Sequence, residues 1–264
     1  QKEVENFYAK MREDDADNAA TPISYGLNST LRKTSEGCVK EDVWCAEGLY
    51  GSAIKHIVYW LSKAAEVAEN QRQIEIINLL IEYYSTGNLQ TFDKYSIEWL
   101  KEHEGRVDFI NGFIEVYGDP LGLKASWEGI VHYKDLIATR RTQTLSQNAQ
   151  WFEDHSPVDP RFRKPQVVGV TANVVCAAML GGDEYPSTAI GINLPNADWI
   201  RARYGSKSIT IGNLTHAYNQ AARGNGFAQE FVIDDATREM IDKWGDVCDD
   251  LHTDLHECLG HGSG

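Results

Sequence analysis

The sequence has few of the features that mark a secreted or membrane-bound protein. No apolar run reaches about 18 residues, the length that a helix needs to cross a bilayer. The five cysteines are odd in number, scattered and without a C-x-x-C pair. This pattern argues against a disulfide framework and predicts free thiols in a reducing compartment. We therefore expect a cytoplasmic protein that makes no membrane contact, unless a targeting segment precedes Gln1.

Basic residues are also scarce. Lys and Arg together number 25 against 39 Asp and Glu, and the net charge of −14 argues against a nucleic-acid or anionic-membrane surface. The Gly-Gly pair at 181–182 is followed by no G-K-[ST], and no G-x-G-x-x-G occurs, so a nucleotide-phosphate loop is not predicted. Internal repeats and low-complexity tracts are absent as well. A length of 264 residues suffices for one large or two modest domains.

The strongest chemical signal lies at the end of the chain. His256 is followed at once by Glu257, and His261 comes five residues after His256. Imidazoles and an adjacent carboxylate are the residue types that bind zinc and supply a general base. We therefore predict His256 and His261 as Zn²⁺ ligands and Glu257 as the catalytic base. The structural alternative is a polar helix end with two unrelated histidines.

The spacing of these histidines predicts a distorted helix. Five residues of an α-helix turn about 500°, which leaves the two side chains roughly 140° apart and too far for one ion. A local π-turn with i→i+5 hydrogen bonds would bring them together, and Gly260 can loosen the backbone there. Cys258, about 200° around the helix from His256, should face the core.

A second histidine pair is an alternative chelate. His252 and His256 are four residues apart and would share one face of a regular helix without any widening. This pair has no acid beside it in the base position other than Glu257. We expect His252 at the surface or behind the ligands.

The order H-E-x-x-G-H-G-S-G from His256 to Gly264 resembles the signature of the dipeptidyl peptidase III family of zinc exopeptidases. The resemblance covers the chain from about Tyr25 onward, and three motifs follow in the family's order. It implies a zinc-dependent hydrolase, a metallopeptidase of the aminopeptidase type. Such a protease releases N-terminal dipeptides from short peptides, which would be the partners of this chain.

The second motif is an aromatic segment before a Gly-Asp-Pro turn. Phe113 to Tyr117 resembles the family's Phe-Ile-Glu-x-Tyr segment. By resemblance, Glu115 holds the substrate's free amino group and Tyr117 is catalytic, stabilising the transition state. A phenol can donate a hydrogen bond to a developing oxyanion, and a carboxylate can pair with an α-ammonium. The residues alone would make Tyr117 a core aromatic.

The third motif is a short β-like run that ends in a proline turn. An edge strand of this kind can receive an extended peptide through main-chain hydrogen bonds. By resemblance to the family's Gly-Ile-Asn-x-Pro-Asn segment, Gly191 and Ile192 form the docking edge, and Asn193 and Asn196 bind the substrate. The structural alternative is an ordinary strand end with asparagine turns.

Two histidines do not complete a catalytic zinc site, which needs a third protein ligand. In the family that ligand is a glutamate on a later helix, and a further catalytic histidine lies downstream. The sequence stops at Gly264 and lacks an initiator methionine. We therefore expect a fragment of a longer peptidase, which would be inactive or nearly so by itself.

The hydrophobic pattern, together with the resemblance, predicts an α+β fold, mainly α with a smaller β part. The predicted helices cover about residues 53–68, 74–86, 92–100, 124–152, 211–222 and 235–255, and the predicted strands about 109–117, 166–180 and 189–196. The resemblance implies two lobes with a wide cleft. Residues 1–135 and 176–222 would form the mixed substrate-binding lobe, and residues 136–175 and 223–264 part of the helical zinc-binding lobe.

Two other functions remain open at this point. A zinc endopeptidase with a coincidental histidine spacing would still cut peptides whose amino terminus is blocked. A non-enzymatic peptide-binding module would bind peptides without zinc and without Glu257.

Overall fold

The computed structural model describes residues 1–15, 19–167, 170–186 and 188–261, without the side chain of Val170. The end of the predicted zinc signature, residues 262–264, lies outside the described residues. Within the described ranges, none of the helices combines the length and the apolar character that a bilayer crossing requires.

Helices and strands follow one another in separate runs along the chain, and this confirms the predicted α+β class. The helices are α1 (Lys2–Asp14), α2 (Gly51–Ala65), α3 (Gln71–Thr86), α4 (Leu89–Leu100), α5 (Thr139–Gln147), α6 (Ala149–His155), α7 (Asp198–Tyr204), α8 (Gly212–Ala222), α9 (Phe227–Phe231) and α10 (Asp235–Leu255). The strands are β1 (Ser29–Lys33), β2 (Val39–Val43), β3 (Val107–Phe113), β4 (Trp127–Lys134), β5 (Val170–Gly182), β6 (Gly191–Leu194) and β7 (Ser206–Ile211). A 3₁₀ turn (Pro160–Phe162) precedes β5, and a π-turn (His256–His261) follows α10.

The chain forms two compact units. The first contains Gln1–Arg106, Ile110–Gly129 and Pro195–Tyr204, and the second contains Val107–Phe109, Ile130–Leu194 and Gly205–Gly264. The boundaries of these units differ from those of the two predicted lobes. The lobe boundaries remain a prediction.

In the first unit, α2 packs against α3 and α3 packs against α4. The side chain of Asn70 accepts a hydrogen bond from the Gln73 amide at the start of α3, as an N-cap should. Gly87 ends α3 in the left-handed conformation (φ 75°), which confirms the predicted glycine cap. The buried aromatics of this helical layer are Tyr83, Tyr84, Phe92, Tyr95 and Trp99.

A five-stranded sheet has the order β3-β4-β5-β7-β6. Strands β5 and β7 run parallel, and β6 and β7 run antiparallel. Strand β6 is thus an edge strand, as predicted for this segment. The antiparallel register sets Asn193 opposite Ser208 and Gly191 opposite Thr210.

The predicted helix from Lys124 to about Phe152 is wrong in its first half and confirmed in its second half, which two short helices cover. Residues 127–134 form β4, and α5 and α6 follow after a turn at Asp135. Burial alternates along β4, with Glu128, Ile130 and His132 facing inward. Because two of these three inward residues are polar, the hydrophobic pattern did not show the period of two that a strand requires.

Three further strands, β1, β2 and β7, were not predicted. The β1–β2 hairpin falls in a segment without clear periodicity. Strand β7 is buried along its whole length, although Ser206, Lys207, Ser208 and Thr210 are polar. A buried strand of this composition lacks the apolar run by which such strands are recognised.

Candidate active site

The π-turn brings the two predicted ligands together. Asp234 caps α10 by accepting a hydrogen bond from the Thr237 amide, and the helix runs regularly as far as Leu255. His256 to His261 then form a π-turn, which confirms the predicted widening. In this turn His256 Nε2 lies 3.0 Å from His261 Nε2.

This geometry fits a single zinc ion. Tetrahedral zinc with Zn–N distances of about 2.0–2.1 Å separates two ligand nitrogens by roughly 3.3 Å. The potential ligand atoms of His256, Glu257 and His261 lie within 4.8 Å of one another. These three side chains could therefore hold a metal ion. The alternative partner His252 is exposed and lies outside this group.

Glu257 is buried beside the histidines, with 5% of its surface exposed. Burial raises the pKa of its carboxyl group to about 7. In the described part of the chain, no donor lies within hydrogen-bond distance of Glu257 Oε2. A carboxyl group with these properties can take up and release a proton near neutral pH.

Cys258 follows directly and has a different environment. It is 1% exposed, and burial raises the pKa of its thiol to about 12. The prediction that Cys258 faces the core is confirmed. All five cysteines are free, as predicted.

Gly191 on β6 allows Glu257 to approach the sheet closely. A β-carbon at Gly191 would lie 2.6 Å from Glu257 Cδ and 2.7 Å from Glu257 Cγ. These distances are far below van der Waals contact, so the two groups could not keep their positions. Gly191 is therefore required by the Glu257 side chain and not by a turn.

Asn193 lies under the π-turn. Its Nδ2 donates to Ser208 Oγ (2.6 Å) and Ser206 Oγ (3.2 Å), and approaches the Glu257 carbonyl oxygen at 3.4 Å. Its Oδ1 is buried, and no donor among the described residues reaches it. A buried amide oxygen without a hydrogen-bond partner is costly, so the Asn193 side chain is held in place by the bonds of its Nδ2.

The main chain of β6 offers further groups at the edge of the sheet. The Ile211 amide donates to the Ile190 carbonyl (2.8 Å) across the β6–β7 register. Hydrogen-bonded pairs alternate along antiparallel strands, so Ile192 also pairs inward with β7. The backbone groups of Gly191 and Asn193 consequently point to the outer edge, where an extended peptide could pair with them.

Three predicted residues cluster in the first unit. Asn196 Nδ2 donates to Glu115 Oε1 (3.0 Å). Tyr117 is 89% exposed, and the neighbouring Glu115 carboxylate raises the pKa of its phenol. A raised pKa keeps this phenol protonated and able to donate a hydrogen bond.

The predicted site residues thus fall into two groups. His256, Glu257, His261, Gly191, Ile192 and Asn193 belong to the second unit, and Glu115, Tyr117 and Asn196 to the first. The roles of these residues stay predictions.

Two residues of β7 that the sequence analysis did not single out hydrogen-bond to the π-turn and to the end of α10. Ser208 Oγ donates to the Glu257 carbonyl (2.7 Å), and Thr210 Oγ1 donates to Asp254 Oδ1 (3.0 Å). The buried Asp254 also accepts from Arg141 Nε (2.5 Å). In the sequence, the only sign of this role is the i, i+2 spacing of Ser208 and Thr210. That spacing could be interpreted only if the strand were already known to be buried.

A histidine pair with a buried carboxylate on a widened helix is the donor set of a metallopeptidase. Residues 18–264 match the model of peptidase family M49, and the chain belongs to this family. The resemblance to dipeptidyl peptidase III is thereby confirmed.

The chain is moderately similar in sequence to known dipeptidyl peptidases. Human dipeptidyl peptidase 3 is 29% identical over 218 residues, which cover 82% of this chain and 28% of the human protein. The chain therefore spans less than a third of that relative's length.

Two solved structures share the fold. Dipeptidyl-peptidase III from Corallococcus sp. strain EGB aligns with a TM-score of 0.68 and 22% identity over 83% of this chain and 39% of that chain. DPP III from Caldithrix abyssi aligns with a TM-score of 0.67 and 19% identity, over 81% and 40% respectively.

Proposed function

We propose that the protein is a zinc-dependent dipeptidyl peptidase, in which His256 and His261 are two of the zinc ligands. The observation that carries the proposal is the 3.0 Å approach of the two Nε2 atoms beside a buried carboxyl group. Zinc, when bound, supplies Lewis-acid polarisation of the scissile carbonyl. A third ligand would come from residues beyond this chain, so the 264-residue chain alone should show little or no turnover.

Glu257 acts as the general base in this proposal. It takes a proton from the attacking water and passes it to the leaving amine. A pKa near 7 suits both steps, because the carboxylate can accept the proton and the acid can return it. Tyr117 donates a hydrogen bond from its phenol to the developing oxyanion in the same reaction.

The amino end of the substrate is held by polar groups of this chain. The Glu115 carboxylate pairs with the α-ammonium, and Asn196, which already donates to Glu115, holds that carboxylate in place. The outward main-chain groups of Gly191 and Asn193, which flank Ile192 on β6, dock the extended peptide. Recognition of a free ammonium at a set distance from the scissile bond would release dipeptides.

The test is a substitution that keeps shape and removes the base. In a form of the protein extended past Gly264, Glu257→Gln should lower kcat about 100-fold or more and leave the bound zinc unchanged. Glu239→Gln, an exposed glutamate on the same helix, is the matched control and should keep full activity. Equal activity of the two variants would rule out Glu257 as the base.

Substrate blocking separates the proposal from its alternatives. A pentapeptide with a free amino terminus should be cut after its second residue, and the acetylated pentapeptide should remain intact. Cleavage of both peptides would indicate an endopeptidase. Peptide binding that survives Glu257→Gln and the removal of zinc, together with no turnover by the zinc-loaded wild type extended past Gly264, would indicate a peptide-binding module.

A further inference from the structure

We propose that Ser208 is a positioning residue for the metal site, whose hydroxyl anchors the π-turn to β7 and keeps the two histidines on one face. The inference rests on the proposed function, because it takes His256 and His261 as zinc ligands. Ser208 has no described hydrogen bond to the histidine rings, and it contacts the strand β6 through the side chain of Asn193.

The anchor is a buried hydrogen bond to the main chain. Ser208 is 1% exposed, and its Oγ donates to the carbonyl oxygen of Glu257 at 2.7 Å. That carbonyl belongs to the π-turn itself, between the two histidines. The bond therefore fixes the backbone from which both imidazoles extend.

Asn193 orients the serine hydroxyl. A hydroxyl group has one hydrogen to donate and can accept hydrogen bonds as well. Asn193 Nδ2 donates to Ser208 Oγ at 2.6 Å from the directly opposite position on β6. With its acceptor side occupied in this way, the hydroxyl directs its own hydrogen to the Glu257 carbonyl.

A second contact sets the register between the strand and the helix. Thr210, two residues along β7 and on the same face as Ser208, donates to Asp254 at 3.0 Å. Asp254 lies three residues before Glu257 and thus on the same side of the helix. The two hydrogen bonds, from Ser208 to the Glu257 carbonyl and from Thr210 to Asp254, together hold the end of α10 and the π-turn against one face of β7.

An anchor is needed because a π-turn is not the default continuation of an α-helix. Wide i→i+5 turns are rare and short in proteins. If the segment relaxed to α-helical geometry, the two imidazoles would separate by roughly 140° around the helix. A hydrogen bond that holds the segment against the sheet therefore contributes to metal binding.

The neighbouring serine offers a matched control. Ser206 lies on the same face of β7, is 3% exposed and contacts Asn193 Nδ2 at 3.2 Å. Unlike Ser208, it has no described hydrogen bond to the π-turn. Ser206→Ala and Ser208→Ala thus remove the same group from the same strand, and only the second removes the anchor.

Hydrogen exchange tests the anchor directly. In this chain, amides of residues 256–261 should exchange about tenfold faster in Ser208→Ala than in the wild type, since a lost buried hydrogen bond costs about that factor. Ser206→Ala should match the wild type, and Ser208→Thr, which keeps the hydroxyl, should restore slow exchange. A cooperative unfolding transition shows that each variant is folded. Equal exchange in the two alanine variants would overturn the proposal.

Zinc affinity supplies the second measurement. In a form extended past Gly264, chelator competition should show about tenfold weaker Zn²⁺ binding for Ser208→Ala and wild-type binding for Ser206→Ala. If the wild type itself took up no zinc, the proposed function would fail, and with it the metal-site role of Ser208. The exchange result would still decide whether Ser208 anchors the turn.

Discussion

Gly191 is the residue on which the position of Glu257 depends most directly. Gly191→Ala should lower peptidase activity about 100-fold, because a β-carbon at this site displaces the carboxyl group and small misplacements carry costs of this size. Turnover and zinc content of a form extended past Gly264 are the measurements. Zinc content should stay constant, since the three atoms nearest to a β-carbon at Gly191 all belong to the Glu257 side chain.

The control for Gly191→Ala lies on α10. A β-carbon at Gly245 would come no closer than 3.6 Å to Ile241 Cγ2. Gly245→Ala should therefore keep full activity and stabilise the helix by about 1 kcal/mol. Full activity of Gly191→Ala would show that Glu257 has room to move without loss of function.

Individual site residues were predictable to different degrees. His256, Glu257 and His261 could be predicted because residue type and spacing define them, and the five-residue interval led directly to the π-turn. Ser208 and Thr210 could not, because short polar residues are usual in exposed loops. Their importance arises from burial against the helix, which is a tertiary property.

Two adjacent tyrosines of α3 allow an element-scale prediction. Tyr84 donates to Asn111 Oδ1 on β3 (2.6 Å) and accepts from Trp127 Nε1 on β4 (2.8 Å). Tyr84→Phe would leave both partners without this hydroxyl and should lower the free energy of unfolding by about 1–3 kcal/mol. Urea denaturation is the measurement.

Tyr83 provides the comparison, because it is equally buried and its hydroxyl has no partner among the described residues. Tyr83→Phe removes an unsatisfied polar atom and should be neutral or stabilising by up to about 1 kcal/mol. Equal losses in the two variants would mean that the space filled by the hydroxyl, and not its hydrogen bonds, accounts for the effect of Tyr84→Phe.

Prediction of the elements succeeded where one face was consistently apolar. Helices α2, α3 and α4 follow the 3.6-residue pattern that the sequence displays. Strand β4 was mistaken for helix because Glu128 and His132 occupy inward positions. Strand β7 was overlooked because it combines buried polar residues on one face with isoleucines and a lysine on the other. The edge strand β6 was predicted because a proline turn bounds it.

At the scale of the whole molecule, buried carboxyl groups make stability depend on pH. Asp93 on α4 is half-buried, and burial raises its pKa to about 7. Its folded-state pKa lies above the unfolded value near 4, so the folded state binds the proton more tightly between these values. This residue therefore makes stability fall as pH rises from about 4 to 7.

Asp93→Asn should remove this dependence. At pH 8 the variant should be more stable than the wild type by about 2 kcal/mol, and at pH 4 the difference should vanish. Urea denaturation at the two pH values measures this. Glu75→Gln, an exposed carboxylate on α3, should change neither value by more than about 0.5 kcal/mol. A wild-type pH profile in Asp93→Asn would contradict the assignment.

The organisation of the whole chain was the least predictable level. The fold class follows from element types, and the family follows from ordered motifs. The division into units does not, because β3 and β4 each contribute residues to both units. No change in composition marks these points, since a strand that passes from one unit to the other keeps a continuous pattern of side chains.

The hydrogen bond between the side chains of Asn193 and Ser208 limits which substitutions such a protein can accept during evolution. One amide both borders the strand edge offered to a peptide and directs the hydroxyl that steadies the histidines. A substitution of Asn193 that changes which peptides bind would therefore also weaken the binding of the metal ion. Evolutionary change at these two positions should occur in concert, and laboratory variants that alter one should be rescued most readily by altering the other.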